Sequence, residues 1–295
     1  MQEALFIMGF LAGAGLLAYH HMPLEVLNSI IPKDDGAKRK AFDLPYGPHY
    51  RHKLDIYTPT EGTGPWPVVV FVHGGAWSYG SKNSYEFVGR AFAAKGYVAV
   101  LPSYRLATSD PYPSFVKDTA RAINWIIRNI DMYGGNAQQM FLSGHSAGAY
   151  NVALALLDQR YFAKFNTDLS GIKGVALLST PADFKLCQSR IAQDVFGHVQ
   201  DFDATQPVNY VRPDVPPFLL LHTKVDHMCR AYNSVSLHKR LRAAGATSKL
   251  RLYKDCSHVG ILLALAKPFR HYAPALNDML EFFASTSSRK AKFLN

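Results

Sequence analysis

"FLSGHSAGAY", residues 141–150, contains Gly144-His145-Ser146-Ala147-Gly148, a match to the pattern Gly-x-Ser-x-Gly. Three fixed positions in five carry little weight alone; what surrounds them decides the fold. Residues 140–143 are a short apolar run of strand character. Residues 147–157 are an apolar stretch of helical length. A strand that turns sharply into a helix can hold a serine on a tight turn with its hydroxyl exposed. Glycines at 144 and 148 remove side chains that would collide across such a turn. The start of the helix adds partial positive charge where negative charge would develop.

The same alternation extends in both directions. Leu54 and Ile56 alternate with polar neighbours before Thr58-Pro59, as in an exposed early strand. Apolar runs at 68–72, 98–101, 175–179 and 218–222, and the stretch 250–253, then read as strands. Helical stretches at 85–95, 116–130, 231–244 and 275–283 separate them, with Val116, Ala120, Ile123, Ile127 and Ile130 on one face of the second. Continuous apolar runs between helices predict an α/β fold with a buried, mostly parallel sheet covered on both faces. No linker composition interrupts residues 45–285, so one domain over about 40–295 is expected.

A serine at neutral pH is a poor nucleophile without a base. His258, in "YKDCSHVG", comes five residues after the run ending at Tyr253. Asp226, in "LLLHTKVDHM", comes four residues after the run ending at His222. Both follow the C-terminal ends of strands, the edge where open α/β sheets place their sites. His227 is the close rival to His258, and Asp255 rivals Asp226 as the acid. "VHGGAW", residues 72–77, follows another strand, and its two glycines let backbone N–H groups face a developing oxyanion. Gly74, Gly75 and Ala76 are the candidates there, with Ala147 after the serine; the sequence does not choose among the first three. Trp77 and Tyr79 are candidate pocket walls, although an aromatic after a tight loop is as often core.

In this order, "HGGAW", "SYRL", "YGGN", "GHSAGAY", "LLLHTKVD" and "SHVG" resemble the serine-esterase branch of the α/β-hydrolase superfamily. Within it the similarity is to the hormone-sensitive-lipase-like and feruloyl-esterase-like carboxylesterases, and to arylformamidases with their H-G-G-x-W motif. The resemblance covers about residues 40–285. It implies an eight-stranded, mostly parallel sheet and hydrolysis of small to medium uncharged carboxylic esters through an acyl-enzyme, with no cofactor. Ser146 would be the nucleophile, His258 the base and Asp226 its orienting acid. An amidase such as an arylformamidase would use the same parts on a C–N bond, and a non-catalytic ligand-binding protein is the rival from another class. Two positions depart from the pattern: Ser103 stands where Asp often precedes "YRL", and Thr223 where Gly often follows the histidine before the acid. Residues 183–212, between two strands, are the expected short lid.

Composition narrows the classes further. The 295 residues carry a formal net charge of +10, but the basic clusters are Lys33/Lys38/Arg39/Lys40 and Arg289/Lys290/Lys292. These lie near the chain ends, outside any nucleic-acid module, so no nucleic-acid partner is expected. Cys187, Cys229 and Cys256 form no C-x-x-C pair and read as buried or semi-buried free thiols; no H-E-x-x-H or paired ligand spacing suggests a metal. Residues 1–32 form a separate apolar segment. Residues 4–19 are apolar on every face, yet about 16 residues is short for a bilayer span. Gln2 and Glu3 precede the run where a signal peptide would carry positive charge. The following basic cluster favours a cytoplasmic main domain. A membrane contact, an unusual signal peptide or a helix covering the pocket mouth all remain open. Leu24, Leu27 and Ile31 then stand at helical spacing before Pro32.

Overall fold

The computed structural model describes residues 23–287. The expectations placed on residues 4–19 and on the basic cluster at 289–292 therefore lie outside the described residues. Nine helices and eight strands follow one another among those that are described. Helix α1 (Leu24–Ile30) precedes β1 (Ala37–Pro45), β2 (Lys53–Pro59) and β3 (Trp66–Val72). Then come α2 (Glu86–Ala93), β4 (Val98–Pro102), α3 (Ser114–Asn129), β5 (Gly135–His145) and α4 (Ala147–Leu157). The chain ends with α5 (Arg160–Ala163), β6 (Ile172–Leu178), α6 (Arg190–Phe196), β7 (Phe218–Thr223), α7 (Tyr232–Ala243), β8 (Ser248–Tyr253), α8 (His258–Leu263) and α9 (Ala275–Thr286).

The strands form one sheet in the order β1-β2-β4-β3-β5-β6-β7-β8. β2 is antiparallel to β1 and β4, and the remaining pairs are parallel. Parallel strands need crossovers, and the helices that supply them cover both faces. One face buries Val68, Val70 and Leu142 under α3 and α4. The other buries Val69, Phe71 and Phe141 under α2 and α9. Phe141 and Phe283 stack at 4.3 Å between ring centres.

β1 carries Lys38, Arg39 and Lys40, residues whose basic run reads in sequence as a solvated cluster and which here form an exposed strand. It is an edge strand, and charged side chains there deter pairing with other chains. Arg39 reaches Glu86 at 2.6 Å. Cys187 also departs from expectation: it is exposed, whereas Cys229 and Cys256 are buried free thiols.

The "SYRL" segment is tied down by a buried ion cluster. Arg105 donates from Nε and Nη2 to the two oxygens of Asp118, at 2.9 and 2.8 Å, and His52 Nε2 lies 3.0 Å from the same carboxylate. Asp118 thus gives Arg105 the carboxylate that Ser103 does not; Ser103 Oγ instead accepts the Lys82 N–H at 3.0 Å. Burial would raise the Asp118 pKa, but the close approach of His52 and Arg105 outweighs it and holds the carboxyl down to about 2. Because the folded value lies below the unfolded one, this group contributes roughly 2 kcal/mol that is full at neutral pH and fades between about pH 5 and 2. Asp118→Asn is expected to lower stability at pH 7 by about 3–5 kcal/mol, since it strands the buried partners of the carboxylate. Urea unfolding at pH 7 and pH 4 checks this: the gap between variant and parent should narrow at the lower pH.

Candidate active site

β5 delivers Ser146 to the C-terminal edge of the sheet, and α4 starts at the next residue. Ser146 takes φ 53° and ψ −121°, a strained conformation for a residue with a side chain. Its N–H donates to Leu178 O at 2.9 Å, and its C=O accepts from the Tyr150 N–H at 3.0 Å. The turn closes only because its glycines lack side chains. A Cβ at Gly148 would stand 2.1 Å from Val72 O and 2.4 Å from His73 O. Gly148→Ala is therefore expected to cost about 3 kcal/mol or more by forcing backbone apart from backbone, read as a fall in the urea midpoint.

Asp226 sits in the loop after β7, buried, and Asp255 is exposed. One Asp226 oxygen accepts the N–H groups of Met228 and Cys229 at 3.0 and 2.8 Å. The other accepts the His258 Nδ1–H at 2.6 Å. His222 Nε2 lies 3.3 Å from that second oxygen and donates to Cys229 O at 2.7 Å, while its Nδ1 meets Ser234 Oγ at 2.7 Å. Burial opposes ionisation of Asp226, yet the donors from His222, His258 and Cys229 hold its carboxyl far below the usual range. Thr223, the second departure from the family pattern, donates its hydroxyl to Cys256 O and so links the acid loop to the histidine loop. His258 opens α8, whose first turn is capped by Ser257 Oγ accepting the Gly260 N–H at 3.0 Å. Its rival His227 is exposed and has no hydrogen bond to Asp226.

His145 connects the two halves. Its Nε2 meets the His258 backbone oxygen at 2.9 Å, and the rings lie 4.7 Å apart. Burial, reinforced by His258, lowers the His145 pKa to about 3, so it stays neutral and braces rather than titrates.

The "HGGAW" turn is equally strained, with Ala76 at φ 48° and Trp77 at φ 58°. The N–H of Gly74, one of the oxyanion candidates, donates to Tyr85 Oη at 3.0 Å. The N–H groups of Gly75, Ala76 and Ala147 have no acceptor among the described residues. Gly75 takes φ 124°, and a Cβ there would meet Tyr79 O at 2.1 Å. The turn is braced from behind by residues the sequence did not single out. Tyr104 stacks on His73 at 4.2 Å and donates to its carbonyl at 3.1 Å, and Arg51 reaches Tyr104 O and Gly80 O at 2.7 and 2.6 Å.

Ser146, His258, Gly75 and Ala76 all line a cavity of about 780 Å³. Trp77 and Tyr79 line it too, in different ways. Trp77 is buried, with its indole N–H on Asn151 Oδ1 at 3.1 Å, whereas Tyr79 stands exposed on the rim. Residues 183–212 contribute Phe184, Ile191 and Ala192 to the wall and are anchored by Phe196, which packs edge-on against Trp77 at 5.0 Å. Pro23, Leu24 and Leu27 of the N-terminal segment line it as well. Among the described residues, no three His, Cys, Asp or Glu side chains converge as metal ligands.

A sheet of this order, with a strained serine elbow and an acid–histidine pair at its C-terminal edge, defines an α/β-hydrolase. The BD-FAE family model matches residues 54–241, and the chain belongs to that family. Among curated proteins it is similar to the isoprenylcysteine alpha-carbonyl methylesterase ICME of Arabidopsis thaliana, 27% identical over 77% of this chain and 58% of that protein. It is also similar to esterase LipQ of Mycobacterium tuberculosis, 30% identical over 81% of this chain and 61% of that protein. The chain thus spans about three fifths of the length of these relatives. Among solved structures, esterase B from Lactobacillus rhamnosis superposes with a TM-score of 0.78 at 19% identity, covering 97% of this chain and 96% of that one.

Proposed function

We propose that the chain is a serine carboxylesterase acting on uncharged carboxylic esters of small to moderate size. The observation that carries the reading is that Ser146, the Asp226-bonded His258 and the unengaged N–H groups of Gly75 and Ala76 meet on one cavity, with the unengaged N–H of Ala147 next to Ser146. Ser146 Oγ attacks the ester carbonyl while His258 Nε2 takes its proton. Negative charge on the carbonyl oxygen is met by the N–H groups of Gly75, Ala76 and Ala147. Asp226 stays ionised, fixes the Nδ1–H tautomer of His258 and stabilises the imidazolium. His258 then protonates the leaving alcohol, the C–O bond breaks, and the acyl group remains on Ser146. Water repeats the sequence and releases the acid. Residues 183–212 act as a short lid. The names of the relatives favour ester over amide substrates.

Parallel assays on a p-nitrophenyl ester and N-formylkynurenine test the reading, together with mass spectrometry after a fluorophosphonate probe. Ester turnover and an adduct on Ser146 are expected. Preferential turnover of the formamide would make it an amidase. No adduct on Ser146 would make it a non-catalytic binder.

A further inference from the structure

Scattered exposed apolar side chains are ordinary on a protein surface; their concentration in one place is not. Among the described residues eleven large apolar side chains are exposed, and five of them, Tyr79, Ile191, Met228, Tyr232 and Val259, line the mouth of the cavity. Met228 and Tyr232 are 64% and 62% exposed, so they face outward rather than fill the site. Two more, Val26 and Ile30, project from α1, whose Leu24 and Leu27 form the cavity wall. Spaced four apart, they share a stripe of that helix beside its buried face. At the other end of the sheet Met132 stands alone, in the turn before β5.

Cations accompany the apolar rim. Lys185 and Arg230 line the mouth, Arg190 and Lys224 adjoin Ile191 and Val225, and none of the four has an ion pair among the described residues. Two carboxylates line it as well, hydrogen-bonded to neutral hydroxyls: Asp183 accepts from Tyr232 and Ser236, and Glu25 from Ser84 at 3.3 Å, so the four cations outnumber them.

We propose that this rim docks on the surface of a phospholipid bilayer carrying anionic headgroups, with the cavity opening into the membrane. Apolar side chains surrounded by unpaired cations match a surface whose acyl region lies beneath negative charge. A second copy of the chain would bring the same cations face to face. Docking in this orientation lets an ester dissolved in the bilayer reach Ser146 without crossing water.

The test uses the full chain and vesicles of phosphatidylcholine, with and without phosphatidylserine, in a sedimentation assay. The parent is expected to sediment with the mixed vesicles and less with phosphatidylcholine alone. Val26→Ser/Ile30→Ser, which touches neither the cavity nor the triad, should partition roughly tenfold less. Its hydrolysis of a water-soluble acetate ester should match the parent, which also shows that it is folded. Orientation is read separately from the quenching of tryptophan fluorescence by brominated phosphatidylcholine. Met228→Trp should be quenched more than Met132→Trp. Equal quenching of the two, or equal sedimentation of parent and α1 variant, overturns the proposal and leaves any binding to another part of the chain. No sedimentation, with dimers appearing in light scattering, overturns it in favour of self-association. The acetate assay reports on the esterase reading alone, so the two can fail independently.

Discussion

Ser146→Ala is expected to lower kcat on a p-nitrophenyl ester by about 10⁴- to 10⁶-fold while leaving the protein folded. The nucleophile is the one atom this change removes from the chemistry; the Asp226–His258 pair and the N–H groups of Gly75, Ala76 and Ala147 remain. What survives is the modest acceleration that binding and oxyanion stabilisation supply without a covalent step. The elbow conformation adds a second readout. At φ 53° Ser146 holds backbone strain that alanine retains and glycine relieves. Ser146→Gly should therefore be as inactive as the alanine variant yet more stable by about 1 kcal/mol. Initial rates and urea midpoints for the three proteins check both statements. More than about a tenth of the parent kcat in Ser146→Ala would remove Ser146 from the mechanism.

The second large effect is at the acid. Asp226→Asn is expected to reduce kcat by about 10⁴-fold, whereas Asp255→Asn should leave it nearly unchanged. Asp226 is buried and receives the His258 Nδ1–H at 2.6 Å; an amide nitrogen in that place would present its own hydrogens and favour the wrong tautomer. The carboxylate also supplies the charge that an imidazolium needs. Asp255 is solvent-exposed, so its removal withdraws no organised charge from the site. The effect should fall on kcat more than KM, as the acid acts after binding. The reverse ranking of the two variants would transfer the role to Asp255.

Much of this arrangement was legible in sequence because its parts are short and local. The elbow is five residues, and its glycines are demanded by contacts within the turn and its neighbouring strand. Five of the parallel strands, β3 to β7, announced themselves as apolar runs, since a strand buried on both faces has no polar side to show; β8, at the edge, interrupts its run with Arg251. β1 did not. As an edge strand it carries Lys38, Arg39 and Lys40, and irregularities in its register between Arg39 and Leu44 erase the alternation that would betray it. Leu24, Leu27 and Ile31 marked α1 as a helix, but no local pattern tells that Leu24 and Leu27 line a cavity shared with residues more than 200 positions away. The oxyanion turn shows the same limit. Gly74, Gly75 and Ala76 are equivalent on paper, and only the Tyr85 hydroxyl, eleven residues on, distinguishes the N–H of Gly74 from the other two. Asp226 and Asp255 differ chiefly in burial, a property of the assembled sheet.

The bond between His145 and the His258 backbone joins residues 113 positions apart in sequence. A ribosome adding roughly 5–20 residues per second takes on the order of ten seconds to cover that interval. Throughout it His258, the imidazole that would take the Ser146 proton, is not yet present. The hydroxyl is then no better a nucleophile than any serine in water, and esters in its surroundings are left intact. Reactivity arrives only when the last third of the chain has threaded onto the edge of the sheet, so a nascent or prematurely terminated chain is born silent.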